Sequence, residues 1–467
     1  MNEVFLLILI SYFAFILLLN LVFKKRMKSL EDFFLASRNL SAFWIGLALS
    51  ASWFGATSIL VSTDEAYKEG VSAGWLVGVP AVATLLILAI ALGTRIQRFR
   101  TLSLPDLLEA RYGLIVRHLS SFLIIWYMSV LAAAQMVALG KFLELFIGAP
   151  YLASLALGAG VVLFYSILGG FRALVITNLI KFLLLVAGVA GLVFYLGRNV
   201  SWGGISTLAM GAGKGDYLRV FSHFGKNSLI ALSFILAWTV SPIAWQRIQA
   251  ARSPLQARRG TLGAVGILTV LYGLVVFAGM LSLPLLSGRE LANPLLSELI
   301  SKETNLLLGG LLFVAVLSAI MSTLDSAVNT GALSLTRDLF EQIVPGERPG
   351  RSVLASRLAT LAIGALAFLI ATRFQDILKT IGLSSTIMAE GLFIPGVASV
   401  FLKKRYPLAG FLSLTLGGLF ALISFLGEME IFKFGLPVWP YSVPYGLLLS
   451  SAGFLIGLVT NKVRSKD

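Results

Sequence analysis

Ala319-Ile320-Met321-Ser322-Thr323-Leu324-Asp325-Ser326 lies inside a long apolar run, roughly residues 306–335. On a helix, Ala319, Ser322, Thr323 and Ser326 share one face at spacings of three and four, and Asp325 lies beside it, three residues after Ser322. Hard oxygens at this spacing suit a small cation. The hydroxyls alone can equally bond back to the carbonyl four residues earlier. Asp325 favours the first reading, because an acid at bilayer depth costs about 2.5–3.5 kcal/mol on insertion scales and is retained for function.

The rest of the chain places this run in hydrocarbon. Of 467 residues, 58% are hydrophobic and 13% charged, and the mean hydropathy is +0.91. That composition belongs to an all-α polytopic membrane protein, not to a soluble domain. Cysteine is absent, which excludes a disulfide framework, a thiolate metal site and a cysteine nucleophile. His118 and His223 stand alone and read as surface or interfacial residues. No nucleophile, base and oxyanion set is visible, and no cofactor motif, so an enzyme is not expected.

Thirteen apolar segments are expected, at about 4–23, 41–67, 71–94, 119–147, 150–168, 173–196, 227–246, 260–286, 306–336, 353–372, 376–402, 407–427 and 441–461. The first is followed by Lys24-Lys25-Arg26 rather than preceded by basic residues, so it reads as a membrane helix and not a signal peptide. Alternating the segments from an outside N-terminus puts 25 of the 37 Lys and Arg in inner loops, ten on the outer side, and two, Lys141 and Lys181, within helices. This bias predicts an outside N-terminus and a cytoplasmic C-terminus. It also assigns the net charge of +15 to membrane orientation, with no nucleic-acid partner. No linker or second soluble domain is apparent.

Two segments carry polar interruptions at mid-membrane. One is Ser50-Ala51-Ser52-Trp53-Phe54-Gly55-Ala56-Thr57-Ser58, and the other is Trp238-Thr239-Val240-Ser241-Pro242-Ile243. Small residues, Gly and Pro weaken a helix. Freed backbone groups at that depth are tolerated where they line a cavity. The two segments are first and sixth after the initial helix, the five-plus-five spacing of an inverted-repeat transporter with its site between two interrupted helices. One transmembrane domain, 1–467, is expected. Its parts are an extra helix (4–23), a first repeat (41–196), a second repeat (227–402) and two C-terminal helices (407–461).

Four further stretches carry a family resemblance over nearly the whole chain. They are 29–38, Ser-Leu-Glu-Asp-Phe-Phe-Leu-Ala-Ser-Arg; Gly169-Gly170-Phe171-Arg172-Ala173; Gln246-Arg247-Ile248-Gln249-Ala250-Ala251-Arg252-Ser253 with Ala257-Arg258-Arg259; and Met321 to Ser326 with Arg337-Asp338-Leu339. Together they resemble the sodium/solute symporter family, the sodium-coupled sugar, proline, pantothenate and sialic acid carriers. The resemblance implies a leucine-transporter-like fold of about 13 helices in a cell inner (plasma) membrane. It implies Na⁺ as coupling ion, a small organic solute as cargo and the lipid bilayer as surroundings, with no obligate protein partner evident. It places sodium on the carbonyls of Ala51, Phe54 and Ala319 and the hydroxyls of Ser322 and Thr323.

The sequence also departs from the family pattern. Family members often carry Thr-Asp, with Gln three residues later, in the fifth core helix; here the residues are Thr177-Asn178 and Lys181. Asp325 stands on the eighth, where relatives with a second sodium site have Ser. Two readings stay open. Asp325, Ser326 and Asn178, with Ser322, hold a second ion, or Lys181 reaches Asp325 and acts as a tethered cation. Substrate contacts are expected from Trp53, Thr57, Trp75, Phe234, Trp238 and Ser241. This aromatic set lacks a sugar pocket's polar groups and favours an amino acid or organic acid. Trp75 alternatively sits at the interface. Glu390, the other intramembrane acid, reads as a ligand for a substrate ammonium, a proton carrier or a structural acid. Proton coupling through Asp325 or Glu390 is the alternative mechanism. A membrane sensor ranks lower, because the tail 461–467 has no room for a signalling domain.

Overall fold

A computed structural model describes residues 2–23, 30–200, 202–211, 213–286, 291, 293–343, 349–428 and 435–464. Ser29 and the basic residues Lys24, Lys25, Arg26, Lys28, Arg289, Arg348, Lys433 and Lys466, used above for the resemblance and the charge bias, lie outside them.

Among the described residues the chain is helical apart from one isolated bridge between Leu40 and Ala251. The principal helices are α1 (Asn2–Phe23), α2 (Ala42–Trp53), α3 (57–69), α4 (78–99), α5 (Leu114–Ile147), α6 (Tyr151–Asn199), α7 (Phe224–Thr239), α8 (Pro242–Gln249), α9 (Pro254–Leu285), α10 (Leu306–Ser334), α11 (Pro349–Ala371), α12 (Ile377–Phe401), α13 (Pro407–Glu428) and α14 (Val443–Arg464). Twelve stretches are long and apolar enough to cross a membrane, and α2 is a shorter apolar helix. One of the twelve, Thr57–Phe99, is divided by the tight turn Gly70–Trp75. Joining α2 to α3, and separating α3 from α4, gives the thirteen traverses expected.

Both interruptions are present. α2 ends at Trp53, and Phe54 leaves helical geometry (φ −95°, ψ 81°) before the chain resumes as α3. α7 ends at Thr239, and Ser241 is extended (φ −60°, ψ 121°), with Pro242 opening α8. Proline is suited to a first helical position because its missing N–H has no partner there.

α6 contains both expected crossings, as Tyr151–Gly169 and Ala173–Arg198, but its 49 residues stay helical across the join. Yet the Tyr165 hydroxyl is 2.9 Å from the Lys181 ammonium. Sixteen residues of straight helix span about 24 Å, so α6 doubles back between them. α10 runs through the middle of the molecule. It packs on both arms of α6 and on α5, and every residue from Ala315 to Ser334 is buried. Hydroxyls and a carboxylate on such a helix meet protein on all sides, not lipid.

Candidate ion and solute site

The break between α2 and α3 frees backbone groups that α5 and α10 satisfy. The Ser322 hydroxyl lies 2.8 Å from the Ala51 carbonyl and 3.0 Å from that of Ala319. Thr323 Oγ1 donates to the Ser52 carbonyl at 3.2 Å, and Ser58 Oγ to that of Trp53 at 3.3 Å. The Ala56 N–H donates to Gln135 Oε1 at 2.9 Å. Buried backbone groups are thus paired through side chains where helical bonding stops. Gly55 permits the approach: a Cβ there would lie 2.7 Å from both Thr323 Oγ1 and Gln135 Oε1. Of the expected sodium ligands, Ala51, Ala319 and Ser322 converge directly. Thr323 pairs with Ser52, next to them, and Phe54 ends the interrupted helix.

A cavity adjoins this cluster and shares Ser52, Gly55 and Thr323 with it; Trp53, Thr57, Tyr127, Gln135, Trp238 and Ser241 also line it. Trp53 and Trp238 meet edge to face, with ring centroids 6.1 Å apart. The Thr57 hydroxyl is buried without a hydrogen-bond partner, an unspent polar group on the wall. At the second break, Trp245 Nε1 donates to the freed Thr239 carbonyl at 2.9 Å.

Three expected substrate contacts lie elsewhere. Phe234 stacks behind Trp238 at 4.8 Å and is fully buried, so it backs the wall. Trp75 donates its indole N–H to the Val220 carbonyl at 2.9 Å and packs on Phe221 and on Phe224 at the start of α7, away from the lining. Glu390 is fully buried but turned toward the C-terminal helices. Ser442 donates to its Oε1 at 2.9 Å, and its carboxyl occupies the space a side chain at Gly446 on α14 would need.

Asp325 points away from the sodium-ligand oxygens, into the crook of α6. Its Oδ2 is 2.7 Å from Lys181 Nζ, with both side chains fully buried. Asn178 Nδ2 donates to Oδ1, and the Tyr165 hydroxyl to Oδ2, both at 3.2 Å. Ser326 turns toward Arg247, whose Nη2 donates to Ser326 Oγ at 2.7 Å. That guanidinium also donates to the Ala48 and Ile243 carbonyls. Gln135, Tyr127, Tyr165 and Arg247 are among the residues that the sequence did not assign to the site. Arg247 stood in the family-resembling run 246–253, and the others showed only as polar side chains in apolar helices.

A broken-helix pair, a central hydroxyl-bearing helix and a cavity between them define a multi-pass membrane transporter of the leucine-transporter-like fold. Likenesses to solved structures agree on that fold. A substrate-bound, outward-open Na⁺-coupled sialic acid symporter superposes with a TM-score of 0.82 at 17% identity, over 98% of this chain and 97% of its own. MhsT in complex with L-phenylalanine gives 0.56 at 15% identity, over 90% and 98%. The sodium:solute symporter family signature matches residues 33–417, and the chain belongs to that family. Among curated relatives, a sodium/proline symporter of Staphylococcus aureus is 24% identical over 97% of this chain and 91% of its own length. A sodium/pantothenate symporter of Escherichia coli K12 is 24% identical over 92% and 90%.

Proposed function

We propose that the chain is a sodium-coupled symporter that carries a small organic solute by alternating access, with an outside N-terminus and a cytoplasmic C-terminus. One observation carries this reading: the Ser322 hydroxyl lies 2.8 Å from the Ala51 carbonyl and 3.0 Å from that of Ala319 at the break, beside a cavity that shares Thr323. Sodium would be held by those oxygens, the Ser322 O–H rotating away from the carbonyls it now meets, with the Phe54 carbonyl and Thr323 hydroxyl completing the set. The ligands are neutral, which keeps the ion releasable. The ion then ties α2 to α10 in one conformation, and that differential binding is what shifts the equilibrium toward solute-ready protein. The membrane potential adds about 2.3 kcal/mol per charge per 100 mV.

No ionised side chain is among the described residues lining the cavity. With its two tryptophans and scattered hydroxyls, this favours an amino acid or small organic acid over a sugar, and within that set a zwitterion with an apolar body. The relatives that carry proline and pantothenate support the same class. Proton coupling has less support, because Lys181 engages Asp325 and Glu390 faces α14. The test is a thermal-shift screen of purified protein against small solutes, in sodium and in potassium. Stabilisation that requires both solute and sodium is expected. Solute stabilisation indifferent to sodium contradicts the reading.

A further inference from the structure

The Lys181 ammonium sits in a cage of oxygens. Asp325 Oδ2 is at 2.7 Å, Tyr165 Oη at 2.9 Å and Asn178 Oδ1 at 3.3 Å. The cage draws on three places in the chain: the arm of α6 before its bend, the arm after it, and α10. Each oxygen is oriented by a further bond. Asn178 gives its amide N–H to Asp325 Oδ1 while aiming its carbonyl at the ammonium, and Tyr165 donates to the carboxylate while accepting from Lys181. Lys181, Asp325 and Tyr165 are fully buried and Asn178 nearly so. The Arg247 guanidinium donates elsewhere, to Ser326, Ala48 and Ile243. The ammonium is therefore the cation that this carboxylate was built to meet.

A carboxylate, a phenol oxygen and an amide oxygen around one point form a set of hard donors, the chemistry of a small-cation site. We infer that this cage is a cation site of α6 and α10 whose occupant is the chain's own Lys181, so that the protein couples to sodium at the Ser322 site alone and gains a second sodium site when the lysine is removed. The lysine cannot exchange with solution. Tethered to the chain, it adds no sodium dependence. The cage joins α6 to α10 through a fixed ion pair, while Ser322 and Thr323 meet α2 through neutral hydrogen bonds that a bound ion would replace. The inference rests on the proposed sodium site for its reference value.

Equilibrium binding of ²²Na⁺ to the purified full-length protein tests it without a known solute. The parent is expected to bind about one sodium per chain and Lys181→Ala about two, with a doubled dependence of thermal stability on the logarithm of sodium concentration. Lys181→Ala combined with Asp325→Asn is expected to return to the parent value, because the second ion needs the carboxylate. Lys181→Gln makes the same test if the alanine variant does not purify as a folded protein. A Lys181 variant that is folded and binds no more sodium than the parent overturns the inference. So does a gain that persists without Asp325. A parent that binds no sodium instead overturns the sodium-site reading; a gain that survives Ser322→Ala supports the cage independently.

Discussion

Two faces of α10 present oxygens to their neighbours by opposite means. On one, Ser322 and Thr323 present neutral hydroxyls to the broken end of α2, where Ala51 and Ser52 offer carbonyls at 2.8 and 3.2 Å. On the other, Asp325 presents a full charge to Lys181 at 2.7 Å. The first face has no fixed charge and joins a segment whose helix is already interrupted. The second is charge-paired and joins the two arms of a doubled helix. Neutral donors at a break make a contact that an ion can form and release. A fixed ion pair among buried partners makes one that stays. The difference assigns the moving joint to α2 and the permanent one to α6.

The largest effect that can break this comparison is at the permanent joint. Asp325→Asn leaves a buried ammonium without its carboxylate and is expected to cost about 3–5 kcal/mol, read as a large fall in melting temperature or loss of monodisperse protein. Neutralising both partners, Lys181→Gln with Asp325→Asn, is expected to recover most of it. If the single variant melts like the parent, the pair is not a structural joint. Next comes Gly55→Ala, whose Cβ meets Thr323 Oγ1 and Gln135 Oε1 at 2.7 Å. Overpacking of this kind costs about 1–3 kcal/mol, and the sodium response is expected to weaken with it. Ser322→Ala removes the hydroxyl shared by Ala51 and Ala319. It is expected to raise the sodium concentration for half-maximal stabilisation at least tenfold, about 1.4 kcal/mol, with a smaller fall in the melting temperature measured in potassium, where only the hydrogen bonding to the Ala51 and Ala319 carbonyls is lost. Glu390→Gln should have the smallest effect, less than about twofold in the sodium midpoint, or ~0.4 kcal/mol. A larger shift would return Glu390 to the ion path.

The legible features were those written locally. Hydropathy placed the crossings, and clusters of Ser, Gly and Pro placed both breaks, because interrupting a helix depends on residues next to one another. Ser322 and Thr323 were readable for the same reason. The pairing of Asp325 with Lys181 was one of two open readings, since it depends on how two helices 144 residues apart in sequence are registered. Gln135 was missed because nothing along α5 tells which backbone group a buried glutamine will cap. For Trp75 and Glu390 a cavity role stood open beside an interfacial and a structural one, because composition does not report which neighbour a side chain turns to; Trp75 turned to the Val220 carbonyl and Glu390 to Ser442 and α14. The reversal within α6 was legible as two apolar segments on either side of Arg172; the continuous helix was not, because the run 169–173 breaks hydropathy but not helical geometry.

Amide hydrogen exchange of the segment 53–59 in sodium and in potassium tests most directly whether an ion joins α2 to α10. The account predicts slower exchange in sodium, abolished by Ser322→Ala and retained when Lys181 and Asp325 are both neutralised. Equal exchange in the two salts, or sodium protection that survives Ser322→Ala, would contradict it.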